Sequence, residues 1–253
     1  MIIKSESETN VTETKSYTYI GEIQIDFYNF VENTKRCQID LKHHTQDFNW
    51  DCGLSCVLMV LSDENREYFL ENREKICKEE GFNTSTWTID LCYLLRRFGI
   101  RHIFHTITLG VHPAYERINF YNEIFTRDEE RVNKRFDDAE KNGIVVKKGS
   151  ISCRTILEHL ATGPVILLTN AKLLGCDICK YNKISCEMKK MFRWPVPYQG
   201  HYIVLCGYNM MINNVFYRNP TLTNRICVMS IKTLNEARKS YGTDQDTIFI
   251  YPS

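Results

Sequence analysis

The chain has 253 residues, 43% hydrophobic and 25% charged, which gives one large globular domain or two small ones. Its formal net charge is +1 with Lys and Arg dispersed, so nothing favours nucleic acid or a membrane surface, and no apolar run reaches the roughly 20 residues of a bilayer span. Eleven cysteines, an odd number behind an N-terminus without an apolar signal stretch, point to free thiols in a reducing compartment, cytoplasmic or nuclear, rather than to a secreted disulfide framework.

Residues 1–36 read as a polar leader, with Glu6, Glu8 and Glu13 among Ser and Thr and a short strand within Tyr19–Phe30. Residues 37–253 read as a single domain, since no low-complexity linker divides them. His43 and His44 have no carboxylate or cysteine at ligand spacing and make a poor metal pair.

From Gln46 to Cys56 a polar, irregular segment turns into the apolar run Val57–Leu61, which predicts a buried helix with Cys52 at its N-terminus. Unpaired backbone N–H groups and the positive end of the helix dipole favour thiolate there. Cysteine is also among the most often buried residues, so core packing is the plainer reading of Cys52 until a base is found.

Ser62-Asp63 caps a second helix over Glu64–Glu80, ended by Gly81. Ser85–Leu91 opens a third, with Leu91, Leu94, Leu95 and Phe98 on one face and Gly99 as its stop. Ile103, His105, Ile107 and Leu109 alternate as the inner face of a half-buried strand. Residues 112–126 are aromatic and irregular. Glu129–Asn142 is a charged helix with Val132, Phe136 and Ala139 inward, Ile144–Val146 a short strand, Ser152–Ala161 a helix stopped by Gly163-Pro164, and Val165–Thr169 a central strand.

Residues 170–198 form a Cys-rich insertion. Cys176 and Cys179 in a C-x-x-C step, with Cys186 after them, offer three of the four sulfurs of a structural zinc site, and nothing in the segment supplies the fourth. A redox pair and an inert surface insertion are the alternatives.

The last third is β-rich. Gly200–Tyr208 is a buried strand opening on His201, Asn213-Asn214 is a turn, and Val215–Pro220 returns beside it, which brings Asn219 near His201. Ile226–Ile231 is a strand, Thr233–Tyr241 a helix and Thr247–Tyr251 a closing strand.

An early thiol at a helix N-terminus, a late histidine opening a strand and an Asn on the next strand have the papain-like order of a Cys, His, Asn thiol hydrolase. His201 would take the Cys52 proton, Asn219 would fix the ring, and Gln46 with the Cys52 backbone N–H would hold the oxyanion. Such chemistry requires no cofactor.

The stretches Asn49–Cys56, Thr86–Leu91, Phe98–His102, Tyr198–Leu205 and Ser240–Asp244 closely resemble the guanylyl cyclase domain-containing protein 1 family (the guanylate cyclase 2 family) and its plant members, from about residue 40 to the C-terminus. Gln46–Cys56 and His201–Asn219 also resemble the bacteriocin-leader peptidase domains of bacterial exporters, which are papain-like. That second resemblance implies Cys52, His201 and Asn219 as a triad with Gln46 at the oxyanion. Those peptidases usually place Asp before Pro, whereas this chain has Asn219-Pro220, so the base is oriented without a charge behind it.

The expected fold is therefore α+β and papain-like: a helical half built on residues 50–100 packed on a mainly antiparallel sheet from the strands after 164. The expected reaction is acyl transfer from a peptide or isopeptide bond of a protein or peptide substrate to Cys52. The family name implies a second activity, GTP to cyclic GMP. Against it, the chain has no G-x-G-x-x-G or G-x-x-x-x-G-K-[ST] cradle, and Asp51 and Asp90 read equally well as helix-start carboxylates. A third reading is a binding protein on the same fold, using 112–126 and 170–198 to hold a partner.

Overall fold

The strand Gly200–Asn209 is apolar on both faces, and such a strand needs cover on both sides. The structure, a computed structural model, describes residues 35–82, 85–111, 125–179, 182 and 197–252, with the backbone alone at 125–127. The strand expected within Tyr19–Phe30, the aromatic segment 112–124 and Cys186 lie outside the described residues.

The described strands are β1 (Arg36–Gln38), β2 (His102–Thr106), β3 (Val145–Lys148), β4 (Val165–Asn170), β5 (Gly200–Asn209), β6 (Asn214–Arg218), β7 (Cys227–Ser230) and β8 (Thr247–Ile250). They form one 8-stranded sheet in the order β3-β2-β8-β4-β5-β6-β7, with β1 also on β5. Only the β2–β3 pair is parallel among them. The α-helices are α1 (Cys52–Val60), α2 (Asp63–Glu71), α3 (Arg73–Glu79), α4 (Thr88–Arg97), α5 (Phe125–Asp137), α6 (Cys153–Leu160) and α7 (Ile231–Arg238). This is an α+β fold, and no helix of the described residues is long and apolar enough to cross a membrane.

Alternate residues of β5 serve two cores. Tyr202, Val204 and Cys206 join α1 and α4 in one, while Ile203, Leu205 and Tyr208 join α6 and α7 in the other. The expected two-part arrangement is thus corrected: strands from before residue 164 belong to the sheet, and a second helical layer covers its other face. The reason lies in β4 and β5, whose side chains are apolar at odd and even positions alike.

Helix α1 is buried from Cys52 to Met59 because it is apolar all round. Each large side chain so buried contributes about 2 kcal/mol. Gly53 lets it come this close: a Cβ there would stand 3.0 Å from Leu91 Cδ1 and 3.1 Å from Tyr202 Cδ2.

Two local expectations change. The second helix is two, α2 and α3, parted at Asn72, whose amide donates to the Tyr68 carbonyl at 2.9 Å. On β2 it is Phe104 and Thr106 that are buried, while Ile107 and Leu109 are exposed beyond the strand, since Phe104 meets Phe136 under the α4–α5 layer. The described residues open on β1 at Arg36. There β1 lies against Gly207, at φ +155, where a Cβ would meet Gln38 Cα at 2.8 Å and the Cys37 carbonyl closer still.

Candidate active site

Four side chains carry the expected chemistry, and the local structure places them on three segments. Cys52 is the first residue of α1. Asp51, just before it, does not cap the helix; its buried carboxylate turns back to accept the Asp47 N–H at 3.2 Å and the Phe48 N–H at 3.0 Å, and pairs with Arg73 at 2.7 Å. This closes the 47–51 loop and leaves the first-turn N–H groups to the thiol.

The backbone N–H groups of Tyr202, Gly53 and Cys52 itself favour the charged form of the thiol. The Tyr202 contact brings Cys52, across 150 residues of chain, to the residue after His201 on β5. Yet Cys52 is only 6% exposed, and burial outweighs these donors and pushes the thiol up to about 11. The thiolate expected from the helix end alone is overridden by desolvation. One turn on, Cys56 is fully buried and held well above the ordinary thiol value by burial and by Cys52.

His201 is buried, and its Nε2 lies 2.8 Å from Asn219 Oδ1. Which amide atom is the oxygen is settled by Thr221, whose backbone N–H donates to it at 3.0 Å. The His201 Nε2 therefore carries the proton as donor, and Nδ1 is the basic nitrogen of the neutral ring. Burial lowers the His201 pKa from its ordinary value, with the Asn219 hydrogen bond opposing. Among the described residues no hydrogen bond joins the Cys52 sulfur to the His201 ring.

The turn bearing Asn219 is a β-turn closed by Leu222 N–H to Asn219 O at 3.0 Å, with Asn first and Pro220 second as that turn prefers. The preceding segment of the chain is stitched onto it. His43 Nε2 meets the Leu222 carbonyl at 2.8 Å, which gives it a structural place, and the Gln46 N–H donates to Pro220 O at 2.9 Å. Thr221 Oγ1 then donates to Gln46 Oε1 at 3.0 Å and lies 3.4 Å from His201 Nε2. Gln46, His201 and Asn219 are thus joined through Thr221, a residue the sequence reading missed. Its signal was the Asn-Pro-Thr turn, in which a side-chain oxygen of Asn bonds the N–H two residues on. One N–H of the Gln46 amide donates to the Phe48 carbonyl at 2.7 Å.

The shared-motif carboxylates are engaged elsewhere. Asp90 is fully buried, accepts the Trp87 N–H at 3.0 Å, and binds Arg131 and, at 3.0 Å, Arg135 of α5. Asp128 accepts from Ser85 and from Trp87 Nε1 at 3.1 Å. The Thr86–Leu91 motif therefore docks α5 onto α4. Behind Cys52, the Tyr202 hydroxyl lies 2.8 Å from Thr88 Oγ1, which also binds the buried Asp246.

Among the described residues one group of three or more such side chains is placed to share a metal ion: Cys176, Cys179 and Cys227, with sulfurs within 4.8 Å of one another. Of the three sulfurs expected from sequence, Cys176 and Cys179 are in this group and Cys186 lies outside the described residues; Cys227 joins them from β7.

A family model described as guanylylate cyclase matches residues 41–250. Guanylyl cyclase 1 of Arabidopsis thaliana is 35% identical over 216 residues, which are 84% of this chain and 76% of that protein. The family match begins at Leu41, just after β1, ends on the last residue of β8, and takes in the thiol, the imidazole and the arginine-held carboxylates together. On that span the chain belongs to the guanylylate cyclase family.

Proposed function

We propose that this chain is a thiol hydrolase on a papain-like scaffold, acting on a peptide or isopeptide bond of a protein or peptide substrate. The arrangement that carries the proposal is the His201 tautomer, held by Asn219 and the Thr221 N–H, one residue along the strand from the N–H that touches the Cys52 thiol. His201 Nδ1 takes the Cys52 proton as sulfur attacks the carbonyl carbon. The Gly53 and Cys52 N–H groups face the developing negative charge, and the imidazolium then protonates the leaving amine. Water, deprotonated by the same nitrogen, releases the acid from the thioester. With the free thiol pushed up to about 11, ionisation depends on this transfer to the ring.

A second reading, cyclisation of GTP, is favoured by the name of the Arabidopsis relative. Metal-assisted cyclisation needs carboxylates free to bind cations, and Asp51 and Asp90 are both committed to arginines.

Peptidyl electrophiles with mass mapping test the proposal. Cys52 is expected to label ahead of Cys56 and the other cysteines, and His201→Ala to abolish that lead. Labelling of Cys52 no faster than Cys56 overturns the hydrolase. Cyclic GMP formed with magnesium or manganese and surviving Cys52→Ser establishes the cyclase in its place.

A further inference from the structure

We propose that Cys176, Cys179 and Cys227 form a structural zinc site that staples the start of the Cys-rich insertion to strand β7. The three sulfurs come from two distant parts of the chain and lie within 4.8 Å of one another. Zinc held by thiolates at about 2.3 Å in a tetrahedron places its sulfurs about 3.8 Å apart, so closing on an ion takes only a small contraction.

The neighbourhood suits thiolate ligands. Cys176 Sγ accepts two backbone N–H groups, from Cys179 at 3.3 Å and Val228 at 3.4 Å, the kind of outer-shell donors that orient and tune a sulfur ligand. Cys176 and Cys227 are fully buried, and Cys179 is half-buried. As zinc binds, three protons leave to solvent and three S–Zn bonds replace three S–H bonds, with no change of oxidation state. An all-sulfur donor set selects a soft tetrahedral ion over magnesium or calcium. A disulfide would use only two of the sulfurs and strand the third as a thiol, and all three are free.

The backbone is laid out for such a staple. Asp177 N–H donates to Val228 O at 2.8 Å, and the Tyr217 hydroxyl donates to Gly175 O at 3.2 Å, so the 175–177 loop already runs along the edge of the sheet. Cys176 and Cys227 belong to the core that holds α6 and α7, across the sheet from the core that holds Cys52. The site is therefore separate from the thiol chemistry above.

The test uses the full chain, expressed with zinc and purified under reducing conditions without a polyhistidine tag. Elemental analysis is expected to find about one zinc per chain in the wild type and in Cys153→Ser, whose sulfur bonds Asn235 instead. Cys227→Ser is expected to lose at least about tenfold in zinc affinity. Because that variant can fail to fold, cobalt is also exchanged into the wild type, where thiolate-to-cobalt charge-transfer bands with tetrahedral d–d absorption are expected. Wild type without zinc, zinc retained in Cys227→Ser, a Cys176 disulfide recovered from the metal-free chain, or an octahedral cobalt spectrum each overturns the site.

Discussion

Asn219 shows how one side chain sets the chemistry of another. Its Oδ1 holds both the His201 ring and the Thr221 N–H, while its Nδ2 is buried without a partner, a cost of about 1–3 kcal/mol. Asn219→Ala is expected to slow Cys52 alkylation about 100-fold by freeing the ring. Asn219→Asp keeps an acceptor for Thr221, removes the orphan donor and adds a charge that favours imidazolium. Since His201 must be neutral to act as base, Asp there moves the acid limb of the alkylation rate to higher pH. A profile identical to the wild type in Asn219→Asp would show that Asn219 only packs.

Helices α4 and α5 are joined by a buried charge cluster as well as by the apolar core. Asp90 is fully buried and meets two guanidinium groups, with Arg131 and Arg135 partly solvent-facing. Burial raises the Asp90 pKa and the two arginines pull it back. Removing one partner of such a cluster leaves uncompensated charge. Asp90→Asn, which still accepts the Trp87 N–H, is expected to cost about 2 kcal/mol after allowance for the arginines' access to water. Urea unfolding measures it, and a change within about 0.5 kcal/mol of zero would mean the clamp holds little. The same pairing ties the carboxylate at the start of α4 to α5.

At the scale of the molecule, helices on both faces of the sheet leave the histidines poorly solvated. All six described histidines sit below the ordinary value, and burial is the first cause at each. The largest effect is at His159, lowered to about 4, whose ring stacks on Phe249 at 4.3 Å while Nε2 meets the Ile250 carbonyl at 2.9 Å. The folded state binds a proton at His159 less readily than the unfolded chain. Its stability is therefore undiminished above about pH 6.5 and falls as pH drops from there toward 4, by roughly 3 kcal/mol from this residue. His159→Phe, which keeps a ring on Phe249 and does not titrate, is expected to flatten that acid slope in urea melts at pH 7.5 and 4.5. An unchanged slope would place the loss elsewhere.

Much of this was legible along the chain. Period and punctuation located α1, α4, α6 and strands β4 to β8, because the apolar spacing of a helix or strand is local and Gly81, Gly99 and Gly163-Pro164 end their segments by local backbone chemistry. The His201–Asn219 pairing was legible too, since a short turn fixes the register of adjacent strands. Residue types alone named Cys52 as a thiol at a helix start. Contacts between segments far apart in sequence were decided by packing: the second helical layer, the inward side of β2, the Thr221 bridge to Gln46, and the approach of Cys227 to Cys176 and Cys179. So was the balance at Cys52, where the sequence supplies the donors of the helix end and only the folded core supplies the desolvation that outweighs them. Periodicity and turn chemistry are written in consecutive residues, whereas burial belongs to whatever the rest of the chain places alongside.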